Sequence, residues 1–344
     1  MTRASQLSQV ANTYSNRNLI INGAMQISQR GTSWSHAHDG TQWFYTIDRY
    51  EPYLRSTHST LDGTWSQSTD APDGFSNSLL WTTGTAESSV NTDDYFYIRT
   101  KLEGQTLQQL AYGTSSAKVS TVSFWVKSSV AGTYGFSMYN QDSNRQLAIP
   151  YTINSANTWE KKTITIPADT TGSIDNDNNA SFNFYWIIDA GSDFTSTPQS
   201  TWATYATGMF AGGHSQNGVA TTSSATFAIT GIQYEVGETA TEFEHRPYGI
   251  ELALCERYYQ LWSAGWTGVA ASANYNYSCH INWHTMMRAN PTVTRNSGTD
   301  SARYPAANWA TTHSYSYGTT VRVMAASAGG NDNWYALGSA DAEL

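Results

Sequence analysis

Between Asn18 and Tyr234 the chain is cut into short runs in which large apolar residues alternate with polar ones. Lys118 to Lys127 reads KVSTVSFWVK, Thr133 to Tyr139 reads TYGFSMY, Glu160 to Ile166 reads EKKTITI and Ser181 to Ile188 reads SFNFYWII. Successive side chains of a strand point to opposite faces, so a period of two marks a half-buried strand. Weaker runs of the same kind sit at Leu19–Ile27, Phe44–Tyr50, Thr64–Gln67, Leu79–Trp81, Tyr95–Arg99 and Thr226–Tyr234. Turn signals separate them: Asp62-Gly63, Pro72-Asp73-Gly74, the polar run from Asn140 to Asn144 and that from Asp175 to Asn179. About eight to ten strands must each bury one face, and two packed sheets achieve this. The pattern predicts an all-β fold, a jelly-roll β-sandwich closed by its first and last strands. One short helix is expected over Leu102–Leu110, where apolar residues fall on one side.

The composition fits such a fold. Charged residues are 13% of the 344 and aromatic residues another 13%, which favours strands and turns and excludes a disordered chain. The net charge of −9 argues against a groove for nucleic-acid phosphates. No run approaches the roughly 20 apolar residues of a membrane span. The first residues, MTRASQLSQVANTYSNRN, contain no apolar core of a secretory signal. Two cysteines, Cys255 and Cys279, are too few for a disulfide framework.

After Tyr234 the period changes. Val236-Gly237-Glu238-Thr239 reads as a turn, Phe243 stands alone as an apolar plug, and Arg246-Pro247-Tyr248-Gly249 breaks the pattern. From Ile250 the spacing is helical, with Ile250, Leu254 and Tyr258 at i, i+4 and i+8. Strands resume at Tyr275–His284, Pro291–Arg295, Thr319–Ala325 and Asn333–Leu337. Three segments are therefore expected: an N-terminal arm at 1–17, a sandwich at 18–249, and a helix with a second small β-sandwich at 250–344.

The junction also carries a resemblance. Gly231-Ile232-Gln233-Tyr234-Glu235-Val236-Gly237 is followed by Ala240-Thr241-Glu242-Phe243-Glu244-His245-Arg246-Pro247-Tyr248-Gly249. Glu251-Leu252-Ala253-Leu254-Cys255-Glu256-Arg257-Tyr258-Tyr259 comes next. This order resembles tail-fibre and appendage proteins of tailed bacteriophages, in which such a strand closes a carbohydrate-binding-module-like jelly roll. Asn18-Leu19-Ile20-Ile21-Asn22-Gly23-Ala24-Met25-Gln26-Ile27 resembles the first strand of that family, and Arg288-Ala289-Asn290-Pro291-Thr292-Val293-Thr294 resembles its C-terminal repeat. Residues 60–225 match in style only.

The resemblance implies a virion protein, made in the host cytoplasm and released by lysis. It would be a tail or capsid fibre or appendage that binds host-surface glycans and meets other virion proteins through its N-terminal arm. It also implies a homotrimer. Composition places the interface in residues 250–344, which carry 5 Arg, 6 acids and no lysine; lysine is depleted from interfaces. That segment also holds Trp262, Trp266, Trp283, Trp309 and Trp334, more large rings than so small a sandwich is expected to bury alone.

Loop tryptophans are the first glycan-contact candidates, because indole faces stack on sugar rings: Trp34, Trp43, Trp202, Trp262, Trp266, Trp309 and Trp334. Trp125 and Trp186 are expected in the core instead. Two metal readings stand beside them. Jelly-roll carbohydrate modules often hold a structural calcium, for which Asn22, Asp48 and Glu235 are the oxygen donors; the alternative is an ion pair of Asp48 or Glu235 with Arg49. His280 and His284 share a strand face with Asn282, and a threefold axis would make them imidazole rings able to bind a metal. No nucleophile elbow, P-loop, dinucleotide fingerprint or zinc-protease motif occurs, so a binding protein is expected rather than an enzyme. The alternatives are a glycan depolymerase, using acids such as Asp93, Asp94, Asp189 and Asp193, and a plain carbohydrate-binding module of a cellular protein.

Overall fold

The alternating runs pair into antiparallel ladders. The computed structural model describes residues 16–37, 44–55, 60–215, 218–269, 272–299, 304–306, 309–327 and 331–344. It divides into two compact units, one through Pro247 and one from Tyr248. In the first unit one six-stranded sheet has the order β1 (Ser33–Ala37), β3 (Asp62–Ser68), β4 (Ser78–Thr83), β12 (Thr226–Val236), β6 (Ser120–Ser128), β9 (Glu160–Ile166). The other has the order β11 (Gln199–Thr204), β8 (Arg145–Ile153), β7 (Gly132–Asn140), β10 (Ala180–Ala190), β5 (Tyr95–Glu103), β2 (Glu51–Arg55). Their facing sides share one core. Trp65, Trp81 and Phe124 from the first sheet and Phe96, Phe136 and Trp186 from the second are all at most 1% exposed. Rings meet edge-on across the gap, with Phe124 at 5.9 Å from Trp186 and Trp81 at 4.9 Å from Phe96. Each such ring removes some 150–250 Å² from water, so aromatic packing dominates this core.

The last strand of the sandwich does not close an edge: β12 lies between β4 and β6. Its core residues are Phe227, Ile229, Ile232 and Tyr234, so the period of two slips by one between them. The pairing with β6 jumps from Thr230 to Gln233, and Gly231 takes φ +61°, a conformation open to glycine. This bulge re-aims every later side chain of the strand. A β-carbon on Gly231 would lie 2.7 Å from the Phe75 ring and 2.9 Å from Trp125. Trp125 therefore stands half-buried on the outer side of the sheet, not in the core.

The segment expected as a first strand, residues 18–27, is a series of turns, with Asn22 at φ +59° and Met25 at +57°. It lies on β12 at the bulge. Leu19 N–H donates to the Tyr234 carbonyl at 2.9 Å and Ile232 N–H to the Gly23 carbonyl at 3.0 Å. The approach needs glycine at 23, because a β-carbon there would meet the Ile232 oxygen at 2.1 Å.

Three of the stretches that carry the resemblance, 18–27, 231–237 and 240–249, converge here. The Asn18 carboxamide oxygen accepts from Tyr234 N–H at 3.1 Å, and its NH₂ donates to the Ile232 carbonyl at 3.1 Å. Gln233 donates to Glu235 at 2.7 Å and accepts from Glu244 N–H at 2.8 Å. Glu235 accepts from Thr241 N–H at 2.9 Å and lies 3.2 Å from Arg17. Arg246 returns to donate to the carbonyls of Ile20 and Asn18.

Other elements also depart from the sequence reading. Phe44–Tyr50 is irregular, with Arg49 at φ +75°, and the strand there begins only at Glu51. No helix forms over 102–110; β5 continues to Glu103 and two short 3-10 turns follow, Gly104–Thr106 and Gln108–Leu110. Strands β8 and β11 form where none was expected.

The second unit opens with α1 (Tyr248–Glu256), whose buried side chains are Glu251 and Cys255. Ile250, expected on that face, is 48% exposed. Phe243, read as an apolar plug, packs within the first unit, its ring 4.9 Å from Phe75 and 4.8 Å from His245. Two three-stranded sheets follow, β13 (Tyr259–Val269), β18 (Asn331–Asp341), β15 (Thr292–Thr299) and β14 (Asn276–Asn282), β17 (Gly318–Met324), β16 (Trp309–Tyr315), each in spatial order. They share a core of Trp262, Trp283, Met287, Val321, Val323 and Trp334, so this is a second small sandwich. Cys255 and Cys279 are both free thiols. Among the described residues no helix is long and apolar enough to cross a membrane.

Candidate functional site on the outer face of the second sheet

Alternation along β10 sends Phe182, Phe184, Trp186 and Ile188 into the core, so Asn183, Tyr185 and Ile187 face outward. The registers extend this outward row across the sheet. Tyr185 stands opposite Arg99 of β5 and Ser137 of β7, and Arg99 stands opposite Glu51 of β2. One step along, Asn183 stands opposite Lys101 and Tyr139, and Tyr139 opposite Gln146 of β8. In the other direction Tyr53, Tyr97 and Ile187 form the next row.

This face divides into a covered part and an open part. Tyr53, Tyr95 and Tyr97 stack in parallel, with centroids 5.4 Å apart for Tyr53–Tyr95 and 5.5 Å for Tyr53–Tyr97. The long segment after β10 folds back over them. Phe210 meets Tyr97 edge-on at 5.6 Å and Tyr185 at 5.0 Å, and Phe194 meets Tyr95 at 5.0 Å. The segment is pinned by Gln146, which donates to the Ala206 carbonyl at 3.0 Å, and by His214, which accepts from Gly135 N–H at 3.1 Å. Beyond it lie Tyr205, 39% exposed, and half-buried Tyr139 and Lys101. Tyr205 and Tyr139 meet edge-on at 5.2 Å, and Tyr139 donates to the Asn144 carboxamide at 3.1 Å.

A charged network lies buried beneath the open part, with Glu51 4% and Arg99 8% exposed. Glu51 accepts from Arg99 at 2.6 and 3.0 Å and lies 3.3 Å from Lys101. The Arg99 guanidinium sits 5.8 Å above the Tyr185 ring. Burial works against the Arg99 charge, yet the phenol of Tyr97 and the Glu51 carboxylate outweigh it and hold its pKa above the ordinary value. Burial, then the neighbouring Arg99 charge, push Lys101 down. Burial, then Tyr95, raise the Tyr53 phenol to about 12. The open end thus offers ring carbon from two tyrosines beside hydrogen-bonding groups held by neighbours. That combination suits a polyhydroxylated ring, which has an apolar C–H face and a polar rim.

The tryptophans chosen from sequence lie elsewhere. Trp202 is 8% exposed, stacked on Phe182 at 5.7 Å and donating to the Pro167 carbonyl at 2.9 Å, so it belongs to the main core. Trp262 and Trp334 are 4% and 3% exposed in the core of the second unit. Their faces are taken by neighbours, which corrects their reading as glycan contacts. Trp309 is half-buried and stacked on Trp262 at 6.3 Å. Trp34 is half-buried in β1 against the main core. Trp266 lies in β13, opposite Trp334 in register. Trp43 and the arm at residues 1–15 fall outside the described residues.

The calcium donors are engaged by protein groups. Asn22 turns its NH₂ to the Ile27 and Asp48 carbonyls at 2.8 and 3.0 Å. Asp48 accepts from Gln29 at 3.0 and 2.6 Å and lies 3.5 Å from Arg30. Arg30 is thus an ion-pair partner of Asp48, and Arg17 is one of Glu235. His280 is exposed on the outer face of β14, its Nδ1 3.1 Å from the Thr320 hydroxyl. His284 lies past the end of that strand, 3.3 Å from Glu256, so the two do not share a strand face. Among the described residues no three His, Cys, Asp or Glu side chains converge as a metal-binding group.

Of the acids, Asp93 pairs with Arg55 at 3.1 Å. Asp94 and Asp189 meet Glu87, which sequence reasoning did not single out, around a void of about 10 Å³ walled by Leu54, Leu61, Val90 and Phe96. His214 lies 3.8 Å from Asp189.

No family model matches the chain, and no significant match is found among curated proteins. Solved structures do match. One is the enzymatically active domain of tailspike protein 4 from bacteriophage CBA120, at 13% identity and TM-score 0.34, covering 64% of this chain and 21% of that one. This chain thus spans about a fifth of the tailspike chain. A family 11 carbohydrate-binding module from Clostridium thermocellum, solved with a mixed-linked tetrasaccharide, matches at 14% identity and TM-score 0.29, covering 62% and 98%. A xylan-binding domain from Paenibacillus barcinonensis matches at 13% identity and TM-score 0.27, covering 60% and 95%. At these scores the likenesses do not bear on what this chain binds.

Proposed function

We propose that this chain is a structural appendage protein of a tailed bacteriophage, a tail or capsid fibre, that holds host-surface glycan without cleaving it. The observation that carries the glycan reading is the open end of the second sheet's outer face, where Tyr139, Tyr205 and half-buried Lys101 lie over buried Asn183 and the buried Glu51–Arg99 pair. The virion assignment is supported by the resemblance at residues 18–27 and 231–259. Those stretches continue past the sandwich into the second unit, which favours an appendage over a plain cellular carbohydrate-binding module. Against a depolymerase stands the size of the acid-lined void, about 10 Å³, which holds a single water but no sugar ring. In this reading the N-terminal arm meets other virion proteins, and the chain is a homotrimer joined through its second unit. Of ten large apolar side chains exposed among the described residues, nine lie in that unit and only Tyr205 in the first.

The test uses the purified chain and host-surface polysaccharide. We expect saturable binding, unchanged polymer length, and binding weakened by about tenfold in Tyr205→Ala if this ring is an anchor. Absence of binding would remove the glycan reading. Steady release of oligosaccharides, abolished by Asp189→Asn, would establish the depolymerase in its place.

A further inference from the structure

We infer that the second unit carries a saccharide site of its own, a cleft of about 410 Å³ between the ends of β13 and β14. The volume lies within the ~300–1,000 Å³ of small-ligand pockets. Two strand segments form its walls, Gln260–Ser263 and Ile281–His284, with Leu337 beside them.

One buried side chain fixes the walls. Gln260, 1% exposed, donates to the Glu256 and Thr285 carbonyls at 3.0 and 2.6 Å and accepts from His284 N–H at 2.9 Å. It ties the start of β13 to the segment after β14, so the cleft is held open by hydrogen bonds inside the fold and needs no ligand to shape it.

The chemistry of the lining selects the ligand. None of the lining residues carries a fixed charge, so nothing rewards a phosphate, a uronate or a nucleic acid. The indole N–H groups of Trp262 and Trp283 are already given to the Ser339 and Tyr315 carbonyls, at 3.1 and 2.9 Å. These rings, 4% and 8% exposed, are the buried floor beneath the cleft. Leu261 and Leu337 add exposed apolar surface, 48% and 40% accessible. Beside them the Ser263 hydroxyl and the Asn282 carboxamide make no side-chain hydrogen bond among the described residues. Fixed carbon walls with uncommitted neutral hydrogen-bonding groups suit a neutral sugar residue, whose ring has a C–H face and a rim of hydroxyls. The site is separate from the sheet face of the first unit and does not depend on it.

The experiment titrates the full chain with neutral gluco-, galacto- and manno-oligosaccharides and with an oligouronate, by calorimetry, alongside Ser263→Ala/Asn282→Ala and Tyr205→Ala variants. We expect at least one neutral oligosaccharide whose affinity falls by about tenfold or more in the double variant and is unchanged in Tyr205→Ala, with the oligouronate not competing. Three results would overturn the inference. No neutral oligosaccharide binds. Binding is lost in Tyr205→Ala and kept in the double variant, which would leave only the sheet-face site. Leu337→Ser leaves sugar binding intact and changes the sedimentation coefficient, which would make the cleft a contact between copies of the chain.

Discussion

Glu87 is one group through which pH acts on this fold. Its carboxyl is 4% exposed, facing Asp94 and Asp189 across the small void behind β5 and β10, with Arg55 lining the same void and His214 beside Asp189. Burial, then the Asp94 and Asp189 charges, raise its pKa from 4.5 to about 7. The folded state therefore keeps a proton on Glu87 between these values where the unfolded chain has lost it. Stability from this group is complete below the unfolded value and falls as pH rises toward 7, because ionising the buried carboxyl costs free energy only in the fold. At about 1.4 kcal/mol per unit, the shift from 4.5 to about 7 sets an upper limit of roughly 3 kcal/mol. Solvent screening at the mouth of the void brings the measured value below that limit. Glu87→Gln keeps the shape and cannot ionise. Urea unfolding of both proteins at pH 5 and pH 8 should give a variant gaining about 1–3 kcal/mol on the wild type over that interval. A difference between the two proteins that stays constant from pH 5 to pH 8 would refute the argument.

Gly231→Ala should destabilise the first unit by about 1–3 kcal/mol, since the new β-carbon adds a strained φ to an overlap with Phe75 and Trp125; a urea midpoint equal to that of the wild type would show that the bulge relaxes freely. Sedimentation velocity at micromolar concentration should show a trimer, and Tyr315→Ser/Tyr317→Ser, which removes two exposed stacked rings of the second unit, should weaken it. A monomeric full-length chain would end that proposal.

The sandwich was legible because β6, β7, β9 and β10 keep the period of two. β9 matches the expected run at both ends, and β6, β7 and β10 differ by only a few residues. What hid the rest was local and physical. β8 carries Pro150, a residue that demotes a strand in sequence, yet it pairs along its whole length with β7. β13 reads YQLWSAGWTGV, with two glycines that suggest a loop, and eleven register pairs to β18 make it a strand. In β12 the alternation looked continuous, but one inserted residue at Gly231 reverses the faces after it. The pattern alone set Ile232 and Tyr234 opposite Phe227 and Ile229, whereas all four share the core. The five tryptophans of residues 250–344 seemed too many for a small sandwich, but Trp262, Trp283 and Trp334 are buried within that unit itself. The large apolar side chains exposed in that unit are tyrosines, two leucines, Ile250 and Met286 instead.

Sequence signature and candidate site also separate for a physical reason. Asn18, Gln233, Glu235, Glu244 and Arg246 form the most recognisable pattern in the chain, and their polar atoms are turned on one another and on neighbouring backbone. A carboxylate already taking Thr241 N–H and an arginine has little left for a ligand. What the signature specifies is a buried polar knot that fixes the β12 bulge, a task at which few side chains substitute, because an unsatisfied buried donor costs about 1–3 kcal/mol. Recognition falls to side chains with spare surface. On the second sheet Tyr134 and Tyr139 are the same residue type in the same strand. Parity sends Tyr134 to the core and Tyr139 outward, so a strand-by-strand reading could have separated them. That Tyr139 stays open while Tyr53 and Tyr97 are covered depends on where Phe194 and Phe210 land. They come from a segment with no period to read, so this part of the site waits for the fold.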